Sequence, residues 1–238
     1  EFVRMKTVAV IQARYTSTRL PGKVLMNLAG KPVLTHIIDR LRAVEAIDEI
    51  CLSIPDGDAQ QPLLDFAATV DGLTVSSGPD EDLIRRFANA VEETGADTVV
   101  RAWADCPAVN PTSTAALIAA FHNENVAYAE IPNDSGYPEG FEVHVLSAAT
   151  IRTVDAGATD PFDREAIIPF LTRYPKRFSC LRLNRSPSRN DIKLLLDTPE
   201  DYEKLKKIFD VLYPKNPLFG LTEIEGLGDE FLKNLETA

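Results

Sequence analysis

Two kinds of apolar pattern alternate along this chain, and the alternation predicts its architecture. Residues 7–11, TVAVI, form a short β-branched run with no polar relief, as a strand buried on both faces should. Residues 32–46 then carry Val33, Ile37, Leu41 and Val44 at helical spacing. A strand over 50–54, a helix over 61–70 and a strand over 73–76 follow. The helix over 81–94 turns Leu83, Ile84, Phe87 and Val91 to one side, and Gly95 ends it. After a strand over 98–102, Asn110 is placed to cap a helix that has Pro111 at its first position and runs to about residue 122. Strand and helix alternating with short connections predict an α/β fold, with mainly parallel strands and helices on both faces.

The second half is more mixed. Strands are expected over 126–130, 141–146, 178–183 and 192–196, with helices over 148–156, 163–173, 200–212 and 227–235. No Gly/Ser-rich linker, repeat or low-complexity tract divides the chain. One domain over residues 5–238 is therefore expected, with residues 1–4 set aside as a cloning scar or an upstream start.

Composition narrows the function classes. No run of about 18 apolar residues is present, and Arg4 and Lys6 precede an apolar run too short for a signal peptide, so a cytoplasmic protein with no membrane partner is expected. Cys51, Cys106 and Cys180 form no CxxC pair and read as reduced thiols. The net charge of −11 argues against a nucleic-acid partner. The charge is unevenly spread: residues 1–50 carry +3 and the remainder −14, a balance that suits a small polyanion bound near the N-terminal segment.

The segment that best fits such a ligand is IQARYTSTRLPGK, residues 11–23. It places Arg14, Arg19 and Lys23 in one loop after the first strand, with Ser17, Thr18 and Gly22 between them. Ligands of open α/β sheets bind outside the carboxyl ends of the strands, and such cations suit phosphates. The loop matches neither a GxxxxGK[ST] nor a GxGxxG pattern, which disfavours P-loop ATPases and dinucleotide dehydrogenases. Asp105, after VVRAWA, and Asp197, after KLLL, each end an apolar run. Mg²⁺ is commonly held by one or two carboxylates together with substrate phosphates. Thr198, Pro199 and Asp201 supply a capping pattern for the next helix and leave the Asp197 side chain without a structural task. Asp56-Gly57-Asp58 resembles a DxD motif but reads better as a turn. His36 and His122 fall in helices and read as structural. His144 alternates with Glu142 on one strand face, opposite Phe141, Val143 and Val145, where a surface pair is the plainer reading and an acceptor contact the alternative.

IQARYTSTRLPGKVLMNLAGKPVL resembles the opening signature of the cytidylyltransferases of sugar-acid and spore-coat polysaccharide synthesis, such as the CMP-acylneuraminate and CMP-3-deoxy-manno-octulosonate synthetases. SGPDEDLIRRFANAVEETGADTVVRAWADCPAVNP, GFEVHVLSAAT, ATDPFDREAIIPF and LLLDTPEDYEKL are similar, in order, to the spore coat polysaccharide biosynthesis protein F branch. The likeness runs from residue 5 to about residue 212. It implies a Rossmann-like, three-layer α/β/α nucleotide-diphospho-sugar transferase fold with a mixed, mainly parallel sheet. It implies CTP held by Gln12, Ala13, Arg14, Ser17, Arg19 and Lys23, with Asp80 and Asp82 near the nucleotide, and Mg²⁺ on Asp105 and Asp197. Departures from the branch pattern fall at residues 140–144, 164–168 and 193–195. They single out Glu142, His144, Arg164 and Glu165 as the acceptor side.

The reaction this implies is attack of a sugar-like acceptor on the α-phosphorus of CTP with release of pyrophosphate, in precursor synthesis for a surface polysaccharide or glycoconjugate. Arg14, Lys23 and Asp105 would be its catalytic residues and CTP and the acceptor its partners; a homodimer stays open. Two rivals remain at this point. One is a glycosyltransferase of similar fold that consumes a nucleotide sugar and leaves a nucleoside diphosphate. The other is a non-catalytic nucleotide-binding domain.

Overall fold

The computed structural model describes residues 5–235; residues 1–4, set aside above, lie outside them. Strand β1 (Thr7–Gln12) is the centre of the architecture. Its apolar residues divide strictly by parity, with Val8 and Val10 in one core and Ala9 and Ile11 in the other. A run with no polar alternation is therefore what a strand between two helical layers requires.

After β1 come a short hairpin, β2 (Asn27–Leu28) and β3 (Lys31–Pro32), and helix α1 (Val33–Arg42). The chain continues through β4 (Glu49–Pro55), α2 (Gln61–Ala67), β5 (Leu73–Gly78), α3 (Leu83–Thr94) and β6 (Thr98–Trp103). Next are α4 (Pro111–Glu124), β7 (Tyr128–Ile131), β8 (Val143–Ser147) and α5 (Ala148–Gly157). The last elements are α6 (Pro161–Ala166), α7 (Ile168–Arg173), β9 (Cys180–Arg182), α8 (Pro199–Leu212), α9 (Leu221–Glu225) and α10 (Asp229–Asn234).

The main sheet has seven strands in the order β5-β4-β1-β6-β8-β7-β9. The pairs β5-β4, β4-β1, β1-β6 and β7-β9 are parallel, and β8 runs antiparallel to both β6 and β7. Helices α1, α2, α4 and α8 pack on one face and α3, α5 and α7 on the other, giving the three layers expected. No described helix is long and apolar enough to cross a membrane.

Two expectations need correction. Residues 192–196 do not join the sheet. They run beside residues 138–140, with Leu194 N donating to Glu139 O at 2.7 Å and Glu139 N to Ile192 O at 3.0 Å, and form a single bridge there. The approach is close enough that a Cβ on Gly140 would meet the Leu194 carbonyl carbon at 2.8 Å. The helix expected over 163–173 is two helices, broken at Ile167 with φ of 66°. Pro169 has no N–H for a continuing ladder, and its ring would crowd the carbonyl four residues back.

Candidate active site

A cleft of about 880 Å³ opens at the carboxyl ends of β1 and β6, and the loop of residues 13–22 forms one wall. That loop is pinned by backbone bonds: Ala13 N donates to Ser53 O at 3.0 Å and Gly22 N to Tyr15 O at 3.2 Å. Tyr15 N is held at 2.8 Å by the amide oxygen of Gln60. Gly22, with φ of 68°, turns the chain into a 3-10 segment at Lys23–Leu25.

The Lys23 side chain is buried at the base of the cleft. Its ammonium donates to Asp105 Oδ2 at 3.0 Å, to the Leu196 carbonyl at 2.8 Å and to Asp197 Oδ1 at 3.3 Å. The two carboxylates, 92 positions apart in sequence, are therefore no farther apart than those two contacts laid end to end. That is inside the roughly 8 Å within which two carboxylates can share one ion. Their backbones are joined as well, by Leu196 N donating to Asp105 O at 2.8 Å.

The cap after Asp197 forms as the pattern predicts. Thr198 Oγ1 accepts from Asp201 N at 3.2 Å, and Asp201 Oδ2 accepts from Thr198 N at 2.9 Å and Asp197 N at 3.1 Å. The cap consumes only the backbone of Asp197, and its side chain turns to Lys23 and to Arg19, which it meets at 2.5 Å. Arg14 is exposed over the cleft, 3.7 Å from Asp80.

Gln12, Ala13, Arg14, Ser17, Arg19, Lys23, Asp80, Asp105, Glu165 and Asp197 all line this one cleft. The structure does not bring Asp82, Glu142, His144 or Arg164 into its lining. Asp82 caps α3, accepting from Arg85 N at 2.9 Å, and holds Arg164 Nε at 2.6 Å. Arg164 also grips Asp155 Oδ1 at 2.6 Å and the carbonyls of Asp155 and Ala158, tying α6 to α3 and α5. Glu142 folds back on its own turn, accepting from Gly140 N at 2.6 Å, and burial pushes its carboxyl pKa up. His144 is not a surface residue. It lies edge-on to Trp103, 4.9 Å between ring centroids, with Arg101 Nη1 3.5 Å from its Nδ1. Burial, and then the Arg101 charge, hold its pKa well below the usual range, so it is a neutral ring.

Three side chains of this region lie outside the sequence-based expectations. Arg86 and Trp103 line the cleft, and Arg101 is buried directly behind it. Arg86 falls on the inward stripe of α3, three residues after Leu83, and Arg101 interrupts the apolar run of β6. A charge at a core position was the available signal, because burying one is costly without a task.

The donor set around Lys23 is two carboxylates with no imidazole or thiol, and among the described residues no group of three or more His, Cys, Asp or Glu converges into a ready metal cage. Such a set suits a hard cation that brings other oxygen ligands with it.

Comparison with known proteins bears on the fold and the family. An uncharacterized protein of Methanocaldococcus jannaschii is 26% identical over 219 residues, covering 87% of this chain and 86% of that protein. The spore coat polysaccharide biosynthesis protein SpsF of Bacillus subtilis is 28% identical, covering 84% and 85%. A 3-deoxy-manno-octulosonate cytidylyltransferase of Escherichia coli is 27% identical, covering 85% and 82%. The fold matches the structure of a cytidylyltransferase from Leptospira borgpetersenii with a TM-score of 0.89 at 22% identity, over 97% of this chain and 98% of that one. A family profile described as Cytidylyltransferase matches residues 8–224, nearly the whole chain, and the protein therefore belongs to the cytidylyltransferase family of nucleotidyltransferases.

Proposed function

We propose that the cleft binds CTP and a sugar-acid or related sugar acceptor, and that an acceptor oxygen attacks the α-phosphorus to form a CMP-sugar and pyrophosphate. The observation that carries this reading is the Lys23 ammonium held between Asp105 and Asp197 at the base of a cation-rich cleft. One pole supplies positive charge for phosphates, and the other supplies oxygen ligands for a metal that must neutralise them. Relatives named for an octulosonate and for spore-coat polysaccharide support a carbohydrate acceptor and a product used in polysaccharide or glycoconjugate synthesis.

In this reading Arg14, Arg19 and Lys23 bind the triphosphate and steady the leaving pyrophosphate. Gln12, Ala13, Ser17 and Asp80 complete the nucleotide pocket. Asp105 and Asp197 hold Mg²⁺, which would supply charge neutralisation at the phosphates. The protein's part is positioning and fixed charge, the usual means of phosphoryl-group transfer. Glu165, which lines the same cleft, contacts the acceptor. Arg164 positions it by clamping α6, while His144 and Glu142 support Trp103 and the turn behind the cleft.

The test is a pyrophosphate-release screen of the four nucleoside triphosphates against sugar acids, neutral sugars and sugar phosphates, with Mg²⁺. Pyrophosphate formed from CTP with a sugar acid is the expected result. Release of a nucleoside diphosphate from a nucleotide sugar, or no turnover with any pair, would overturn the reading.

A further inference from the structure

Arg86 is a buried cation with no assigned task. It is 8% exposed, it lines the cleft, and none of its side-chain nitrogens has a protein partner among the described residues. Its Nε is both buried and unpaired. An N–H left in that state is destabilising unless an acceptor arrives. The side chain is nonetheless fixed in place. Its stem lies where Gly78, at the end of β5, has no side chain: a Cβ there would meet Arg86 Cγ at 3.0 Å. The burial and the fixed stem preorganise the guanidinium toward the cleft.

Gln12 lines the same cleft, and its amide orientation is dictated by chemistry. Arg101 Nε donates to Gln12 Oε1 at 2.8 Å. A guanidinium has only donors, so the amide oxygen must face Arg101 and the NH₂ must face away from it. Arg101 cannot swing aside. It is enclosed in β6, donates to the Ala166 carbonyl at 3.0 Å, and stacks 4.6 Å from the Trp103 ring centroid. Gln12 is thereby held as a hydrogen-bond donor in the same cleft lining as Arg86, a group that accepts nothing, and Arg86 lies near enough to Arg101, the partner of Gln12, for its charge to lower the Arg101 pKa.

We propose that Arg86 and the Gln12 amide form a donor-only wall that reads the adjacent acceptors O2 and N3 of cytosine, and that Arg101 sets this selectivity by fixing the Gln12 amide. The inference rests on the cleft being the CTP site. Uracil offers a donor at N3, which would face donors with no acceptor between them. A mismatch of that kind leaves buried polar groups unpaired and discriminates strongly. A carboxylate of the acceptor is the rival occupant. Arg86 already has negative charge nearby, however: burial lowers its pKa and the Arg14 charge adds to that, while the carboxylates of Asp80, Asp82 and Asp56 work to raise it. What the side chain lacks is hydrogen-bond acceptors, which a neutral base edge provides. It also projects from α3 on the face of the sheet opposite the core that adjoins Lys23, so a nucleotide with its phosphates at Lys23 can reach it with the base.

The experiment measures binding of CTP and UTP, with Mg²⁺ and no acceptor, by calorimetry on the wild type, Arg86→Met and Gln12→Glu. Turnover against acceptor concentration is measured in parallel. Arg86→Met keeps length and removes the donors; it should weaken CTP about 10–100-fold and UTP much less. Gln12→Glu keeps shape, keeps an oxygen toward Arg101 and turns a second acceptor oxygen to the cleft. It should reduce the preference for CTP over UTP at least 10-fold, in part by gain of UTP binding. This variant retains the partner of Arg101 and tests the wall even if Arg86→Met does not fold. Unchanged CTP affinity and selectivity in both variants would overturn the proposal. So would a rise confined to the acceptor KM in Arg86→Met, which would assign Arg86 to an acceptor carboxylate. A wild type that neither binds CTP nor releases pyrophosphate would instead refute the underlying function.

Discussion

Lys23 occupies the position between Asp105 and Asp197 that a shared cation would take. Two neighbouring carboxylates raise each other's energy unless a positive charge lies between them, and here the protein's own ammonium supplies it, with Arg19 on the outer oxygen of Asp197. A metal ion arriving without nucleotide must displace that ammonium, whereas a nucleotide offers the ammonium phosphate oxygens in exchange. Lys23→Ala is therefore expected to act in opposite directions on two measurements. Mg²⁺ affinity of the nucleotide-free protein should rise, and turnover with CTP should fall by about 10²–10³-fold, the scale of losing one preorganised charge stabiliser. Titration of Mg²⁺ by calorimetry and a pyrophosphate assay read the two effects. If metal affinity falls together with turnover, Lys23 supports the carboxylates rather than competing for them.

Helix α8 is the element that aims Asp197, and its cap was legible in the sequence because Thr-Pro-Glu-Asp is a local pattern. The path of residues 192–196 was not legible. Alternating apolar residues fit a ladder strand and a single-bridge segment equally well, and only the approach of Gly140 to Leu194 separates them. Asp201 joins the cap to the site, since its carboxylate accepts from Asp197 N. Burial alone would raise the Asp201 pKa, but Lys193 and the N–H groups of Thr198 and Asp197 outweigh it and hold the pKa below the ordinary value. A carboxyl whose native pKa is depressed contributes stability that is fully present above the unfolded pKa of about 3.9 and is lost as pH falls through the native value. Asp201→Asn should thus lower unfolding free energy by roughly 1–2 kcal/mol near neutrality. The difference from wild type should shrink as pH drops below about 4. Turnover should fall too, because the backbone that carries Asp197 loses an anchor. Denaturant melts from pH 3 to pH 7 decide it, and a gap that stays constant with pH would mean the Asp201 charge has no part in the cap.

At the scale of the molecule, the fold was readable because apolar runs and helical stripes alternate through most of residues 7–124, while the cleft was only partly readable. Arg14, Arg19, Lys23, Asp105 and Asp197 lie in segments whose neighbours advertise a strand end. Arg86 and Arg101 left a weaker signal, a charge at an inward position of α3 and β6, and only their burial separates that from a charge that reaches solvent. The architecture also dictates how ligands should affect stability. Residues 192–198 reach the cleft edge outside the main ladder, fastened to the end of β6 by one backbone bond and by Lys23. A nucleotide with its metal would bridge the loop of residues 13–22, the end of β6 and this segment at once, whereas Mg²⁺ alone faces a pair already neutralised by Lys23 and Arg19. A ligand at about 100 times its Kd adds roughly 2.7 kcal/mol to unfolding free energy. For a chain of this size that corresponds to a Tm increase of about 5–10 °C. The increase should appear with CTP and Mg²⁺ together, be small with CTP alone and negligible with Mg²⁺ alone. Asp105→Asn and Asp197→Asn should each abolish the synergy, and the double variant should be little worse than either, because the pair acts as one unit. Equal stabilisation by CTP with and without Mg²⁺, or synergy surviving in either variant, would show that the two carboxylates do not share an ion.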